Sequence, residues 1–111
     1  MSPAGPAVMV AVSGEFTVAP DHPCLPGHFP GEAIVPAVLL LDLSCAVLQQ
    51  ARPDLGALRE VKAAKFVHPV RPGEVVKVSF ISTTAPATLR FSCETSAGLV
   101  AQGQMVFAGH P

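Results

Sequence analysis

The chain has 111 residues, half of them apolar and 14% charged, with a net charge of −1 and a mean hydropathy of +0.47. That length suits one core, and we read residues 1–111 as a single domain. The balanced charge and a pI near 6.4 exclude a basic nucleic-acid stripe. The longest apolar run, Ala33 to Leu48, is broken by Asp42, so no membrane span is expected. The apolar excess then needs a subunit interface or a greasy ligand to cover it.

Residues 1–7 read as a loose N-terminal segment. No basic run precedes an apolar one there, so no signal peptide is expected and the protein is placed in the cytoplasm. Residues 8–18 are rich in Val and Phe and read as a strand, with a bend admitted at Gly14. Residues 19–32 hold four prolines and two glycines, a density that excludes regular structure. A loop of that length inside a compact domain is usually functional.

Pro36 then opens a helix, because proline at the first helical position gives up an N–H that would be unpaired anyway. The helix runs through Ala51, Arg52 suits its last turn, and Pro53 ends it. Its first turns are apolar on every side, which predicts burial all round. Strands are expected at Leu58–Val67, Val75–Thr83, Thr88–Thr95 and Leu99–Ala108, with turns at Pro72-Gly73, Ala85-Pro86 and Ala97-Gly98. Four successive strands with short links predict an antiparallel meander. Cys24, Cys45 and Cys93 are odd in number and fit no paired spacing, so reduced thiols are expected. The whole reads as an α+β fold with one long helix wrapped by a curved antiparallel sheet, although another α+β roll fits the same string.

Two residues carry chemistry. Asp42 sits mid-helix among Val38, Leu39, Leu41, Leu43, Cys45 and Ala46. Burying a carboxylate costs several kcal/mol unless it is paired or neutralised, and such groups gather at functional sites. The alternative is a structural aspartate bonded to a backbone N–H or a basic residue, and the residues alone leave both open. His28 lies between Gly27 and Phe29 in the Pro/Gly-rich loop. A lone loop histidine is usually only solvated, but a loop held in one shape suits a general base. Two titratable groups in contrasting settings are a pattern for acid/base chemistry. The free N–H groups around Pro36 and Ala37, at the positive end of the helix dipole, suit a carbonyl oxygen.

The stretch Gly27-His-Phe-Pro-Gly-Glu-Ala-Ile-Val-Pro-Ala-Val-Leu-Leu-Leu-Asp42 closely resembles the active-site segment of bacterial 3-hydroxyacyl-acyl-carrier-protein dehydratases. That family carries a Gly-His-Phe-Pro-Gly loop, a Pro-Gly-Val helix start and an acid fourteen residues after the histidine. A second block, Lys65-Phe-Val-His-Pro-Val-Arg-Pro-Gly-Glu74, is similar to the family's Lys/Arg-Phe-x-x-Pro-Val-x-Pro-Gly-Asp. The two blocks cover about a quarter of the chain.

The resemblance implies a hot-dog fold assembled as a double hot-dog dimer, homodimeric or paired with another hot-dog chain. It makes His28 the base and Asp42 the acid, each from a different chain, and gives the Ala37 N–H the thioester carbonyl. Phe29, Gly31 and Pro36 would complete the substrate site. The substrate would be a 3-hydroxyacyl group on the 4'-phosphopantetheine of acyl carrier protein, in fatty-acid or polyene-type lipid synthesis. No cofactor or metal is implied. Two positions depart from the pattern: Ala37 stands where the family usually has Gly, and the acid is Asp where short dehydratases usually have Glu. Asp occurs in longer dehydratase/isomerases and in aryl-polyene-type dehydratases. The short chain favours the latter or another specialised branch.

Other candidates read as background. His22 and His28 lack a third metal ligand at a plausible spacing, and His68 and His110 read as surface residues. Lys62, Lys65 and Arg71 suit either an acidic carrier protein or a solvated strand face. Phe29, Phe66 and Phe80 read first as core. Competing functions are a hot-dog thioesterase, against which the Gly-His-Phe-Pro loop argues, and a non-catalytic partner subunit, which would be expected to lack the histidine or the acid.

Overall fold

A computed structural model describes residues 11–19 and 34–109. The elements follow the order β1 (Ala11–Thr17), α1 (Ala37–Ala51), a 3-10 turn (Pro53–Leu55), β2 (Leu58–Phe66), β3 (Val75–Ser82), β4 (Thr88–Thr95) and β5 (Gly98–Phe107). The strands form one antiparallel sheet in the order β1-β3-β4-β5-β2. One face of α1 packs on this sheet, nearest to β1 and β3.

The alternation in β3 sets the inner face. Val76, Val78 and Phe80 are buried, while Lys77 and Ile81 are exposed. Across the ladder Phe80 pairs with Phe91, and their rings lie 6.4 Å apart at a 40° tilt. Met105 and Phe107 of β5 and Leu48 of α1 close the core. Phe80 is thus core as expected. Phe66 is not: at 42% exposed it lies at the far end of the edge strand β2.

The four-strand meander is corrected. Only β3, β4 and β5 run as successive neighbours; β2 pairs with β5 and never with β3. The cause lies in the link between β2 and β3. Residues 67–74 are too long and too proline-rich for a hairpin, and they are tied to other elements. Gly73 N–H donates to Val18 C=O at 2.8 Å, Val35 N–H donates to Val70 C=O at 2.7 Å, and the Glu74 carboxylate accepts from Arg71 N–H at 2.7 Å. The second sequence block is therefore a strap between the end of β1 and the approach to α1. Gly73 sits at φ +92°, a conformation that favours glycine.

β2 also carries a bulge. Lys62 pairs with Gln104 and Lys65 with Gln102, so Ala63 and Ala64 together face Gly103. Ala63 adopts φ +53°. A Cβ on Gly103 would stand 2.8 Å from Ala64 Cα, so the bulge needs glycine opposite it. In β1, pairing runs unbroken from Ala11 to Thr17, so Gly14 makes no bend there.

No helix among the described residues is long and apolar enough to cross a membrane. Cys45 and Cys93 are free and buried; Cys24 lies outside the described residues.

Candidate active site

Pro36 is the N-cap of α1 rather than its first residue, with extended backbone at φ −62° and ψ 146°. The first intrahelical bond runs from Leu40 N–H to Pro36 C=O at 3.0 Å. The N–H groups of Ala37, Val38 and Leu39 precede it and have no partner inside the helix. No acid stands in the first turn. Ala37 is exposed. The helix start is held in place by the Val35–Val70 bond, whose two residues are 5% and 2% exposed.

The burial expected of Asp42 is corrected. Leu39, Leu40, Ser44, Cys45 and Leu48 are buried, but Val38, Asp42, Ala46 and Gln50 recur every four residues on an exposed face. The sheet of one chain wraps only one side of the helix, so the apolar first turns are not enclosed all round. Val38 is 78% exposed, a large uncovered apolar side chain beside the carboxylate. The Cys45 thiol is pushed up by burial and, secondarily, by the charge of Asp42. No side chain hydrogen bond or ion pair fixes Asp42 among the described residues, so the structural-aspartate alternative finds no partner there.

Two apolar grooves flank the helix start and share Pro36. One, of about 430 Å³, lies between α1 and the beginning of β2, where Leu41, Leu58 and Val61 surround Asp42. Asp42 is the one polar side chain among the described residues that line it. The other, of about 360 Å³, lies between the helix start and the end of β2, where Ala37, Leu40, Phe66 and Val67 line it together with His68. These volumes fall at the small end of ligand sites. Sequence reading missed the second groove, because nothing in residues 65–70 signals that the strap folds back to meet Ala37.

His28, Phe29 and Gly31 lie outside the described residues, so only Pro36, Ala37 and Asp42 of the expected site are placed. Pro36 and Asp42 line one groove, and Pro36 and Ala37 line the other. Among the described residues no cluster of metal-ligating side chains occurs. Lys62, Lys65 and Arg71 are exposed; the first two stand on the outer face of the sheet opposite Gln104 and Gln102.

Comparison with known proteins agrees with this fold. Among solved structures, the chain is similar to the dehydratase heterocomplex ApeI:P from Xenorhabdus doucetiae, with a TM-score of 0.74 and 19% identity over 93% of this chain and 90% of that one. It is also similar to the fluoroacetyl-CoA thioesterase FlK, with a TM-score of 0.70 and 15% identity over 92% and 86%. Both likenesses establish the hot-dog fold. The 3-hydroxyacyl-[acyl-carrier-protein] dehydratase FabZ of Chlamydia trachomatis is 31% identical over 87% of this chain and 71% of its own length. The family model described as ApeI dehydratase matches residues 8–104, which take in the Gly27–Gly31 motif, the helix, the first four strands and most of the fifth; the chain belongs to the ApeI-like dehydratase family.

Proposed function

We propose that the chain dehydrates 3-hydroxyacyl thioesters carried on acyl carrier protein to trans-2-enoyl thioesters, as one domain over residues 1–111. The observation that carries the reading is the Gly27-His-Phe-Pro-Gly31 motif with an acid fourteen residues after its histidine, that acid, Asp42, lying in an apolar groove near helix N–H groups that make no bond within the helix. Membership of a dehydratase family supports it. The likeness to thioesterases is one of fold alone.

In this mechanism His28 takes the α-proton of the substrate. The electron pair moves into the thioester carbonyl, whose oxygen the Ala37 N–H receives; a positioned backbone donor is worth about 10²–10³ in rate. The pair then returns to form the C=C bond while the β-carbon–oxygen bond breaks. Asp42, as the acid, delivers a proton to the departing hydroxyl, which leaves as water. The α-proton on His28 restores the acid through solvent before the next turnover. Phe29 and Gly31 would complete the substrate site.

A second hot-dog chain, identical or a partner, would cover the exposed face of α1 and bring its own His28 to Asp42. Exposed Val38 beside a carboxylate without a side-chain partner among the described residues supports that pairing. Lys62, Lys65 and Arg71 would steer the acidic carrier protein. The cytoplasm, where the carrier works, is the expected compartment, and an aryl-polyene-type pathway suits Asp in place of Glu.

The test is incubation with a 3-hydroxyacyl-acyl carrier protein, following the absorbance of the conjugated enoyl thioester, beside His28→Ala and Asp42→Asn. Enoyl product that falls by about 10²–10⁴ in each variant is expected. Free acid with free carrier thiol would instead mark a thioesterase, and no turnover with binding retained would mark a non-catalytic partner subunit.

A further inference from the structure

We propose that the outer face of the sheet carries an oxyanion site of the phosphate class, formed by Lys65 and Arg90 at the β2 bulge with Lys62 beside them. In a regular strand, residues three apart point to opposite faces. Lys62 and Lys65 do not, because two residues, Ala63 and Ala64, stand opposite the single Gly103. The extra residue turns Lys65 onto the face that Lys62 already occupies, and the two meet Gln104 and Gln102, successive outer positions of β5. Bulges commonly re-aim a side chain in this way. This one is made without glycine in β2: Ala63 takes φ +53°, a conformation that L residues avoid. Unfavourable backbone thus gathers two like charges, and Arg90 of β4 adds a third from the other side of Gln104. A bound anion would offset that repulsion.

A cup with the right lining stands at this point. It encloses about 280 Å³ over Gly103, between Ala63, Lys65, Arg90, Gln102 and Gln104. It lies on the face of the sheet away from α1 and shares no residue with either groove beside the helix start. Among the described residues two cations and two amides line it, and no carboxylate does. Glu60 and Glu94, on the same face by register, stand opposite Val106 and Lys77 instead. Lys62 and Arg90 flank Gln104, so their Cα atoms are about 10 Å apart, two strand spacings, and their long side chains can reach one ion. None of the five polar side chains, Lys62 included, has a hydrogen-bond or ion-pair partner among the described residues. A guanidinium fork, ammonium groups and amide N–H donors are the set that a tetrahedral oxyanion takes. Steering of a carrier protein needs positive surface only; convergence on one cup is a further property.

The experiment is calorimetric titration of the full chain, as it assembles in solution, with inorganic phosphate at an ionic strength held constant by chloride. Saturable binding of one phosphate per chain is expected. Arg90→Gln and Lys65→Gln should each weaken it about tenfold, the worth of one charged hydrogen bond. Lys77→Gln, on the same face but opposite Glu94, should leave it unchanged. All three side chains are exposed, so the variants should fold, with thermal midpoints in chloride equal to wild type. Methyl phosphate separates the sources of the anion. Binding equal to that of inorganic phosphate assigns the cup to a phosphate ester, and binding about tenfold weaker assigns it to the free ion; either result upholds the site. No saturable binding by the wild type, an Arg90→Gln/Lys65→Gln double variant that binds as wild type does, or an equal loss in Lys77→Gln overturns it.

Discussion

Gly14 of β1 lies so close under Val47 of α1 that a Cβ on residue 14 would stand 2.7 Å from Val47 Cγ1. This contact sets how near the helix comes to the sheet, and so where the helix start and Asp42 are held. Val47 is β-branched and cannot swing aside without leaving its preferred rotamer. Gly14→Ala is therefore expected to destabilise the fold by about 1–3 kcal/mol through overpacking. Val47→Ala in the same chain should relieve the clash, so the two changes couple by about 1 kcal/mol or more. Urea unfolding of both singles and the double reads this directly. A Gly14→Ala midpoint equal to wild type would show that the helix moves freely on the sheet.

The two buried thiols predict a loss of stability in alkali. Burial pushes the Cys45 thiol up, with the Asp42 charge adding to it; burial also pushes Cys93 up, against a smaller opposing pull from its contact with the Ser44 hydroxyl at 3.3 Å. The folded chain thus keeps these protons where the unfolded chain gives them up. The stabilisation is complete below the unfolded thiol value of about 8.5 and is lost as pH rises through the higher folded values. Denaturation midpoints should fall above that pH in wild type and fall less in Cys45→Ala/Cys93→Ala. An identical alkaline slope in both would remove the thiols from the account.

Much of this was legible in the sequence, and the failures share a cause. The period-two runs placed β3 and β4 nearly residue for residue, and Pro36 and Pro53 bounded the helix to within a residue. The motif spacing pointed to Asp42. What local pattern did not carry was which strand lies beside which: the β2–β3 strap makes its bonds to Val18 and Val35, both distant in sequence. The setting of Asp42 failed for a related reason. An all-apolar helix has more apolar surface than one five-stranded sheet covers, and the sequence does not say whether the remainder faces the same chain, another chain or a ligand.

Val38 tests that remainder. At 78% exposed it is expected to sit under a second hot-dog chain, where a glutamate would be buried without a partner. Truncated or mismatched charge in such a setting costs about 4 kcal/mol, roughly a thousandfold in association. Val38→Glu should therefore shift the mass seen by light scattering from dimer to monomer, and activity should go with it. A variant of unchanged mass would mean that this face stays uncovered.

Ala37→Pro separates the backbone donor from everything else at the helix start. Proline is well suited to the first helical position, and the residue before a proline must be extended, which Pro36 already is at ψ 146°. The substitution deletes one N–H while the helix and the Val35–Val70 tie stay in place. The thermal midpoint should move little, and kcat should fall about 10²–10³ because the enolate oxygen loses its donor. Ala37→Gly is the control: it keeps the N–H and costs less than about 1 kcal/mol of helix stability, so its kcat should stay close to wild type. If the proline variant turned over as fast as wild type, the carbonyl would have to be held by some other group, and the free N–H groups of α1 would lose their place in the mechanism.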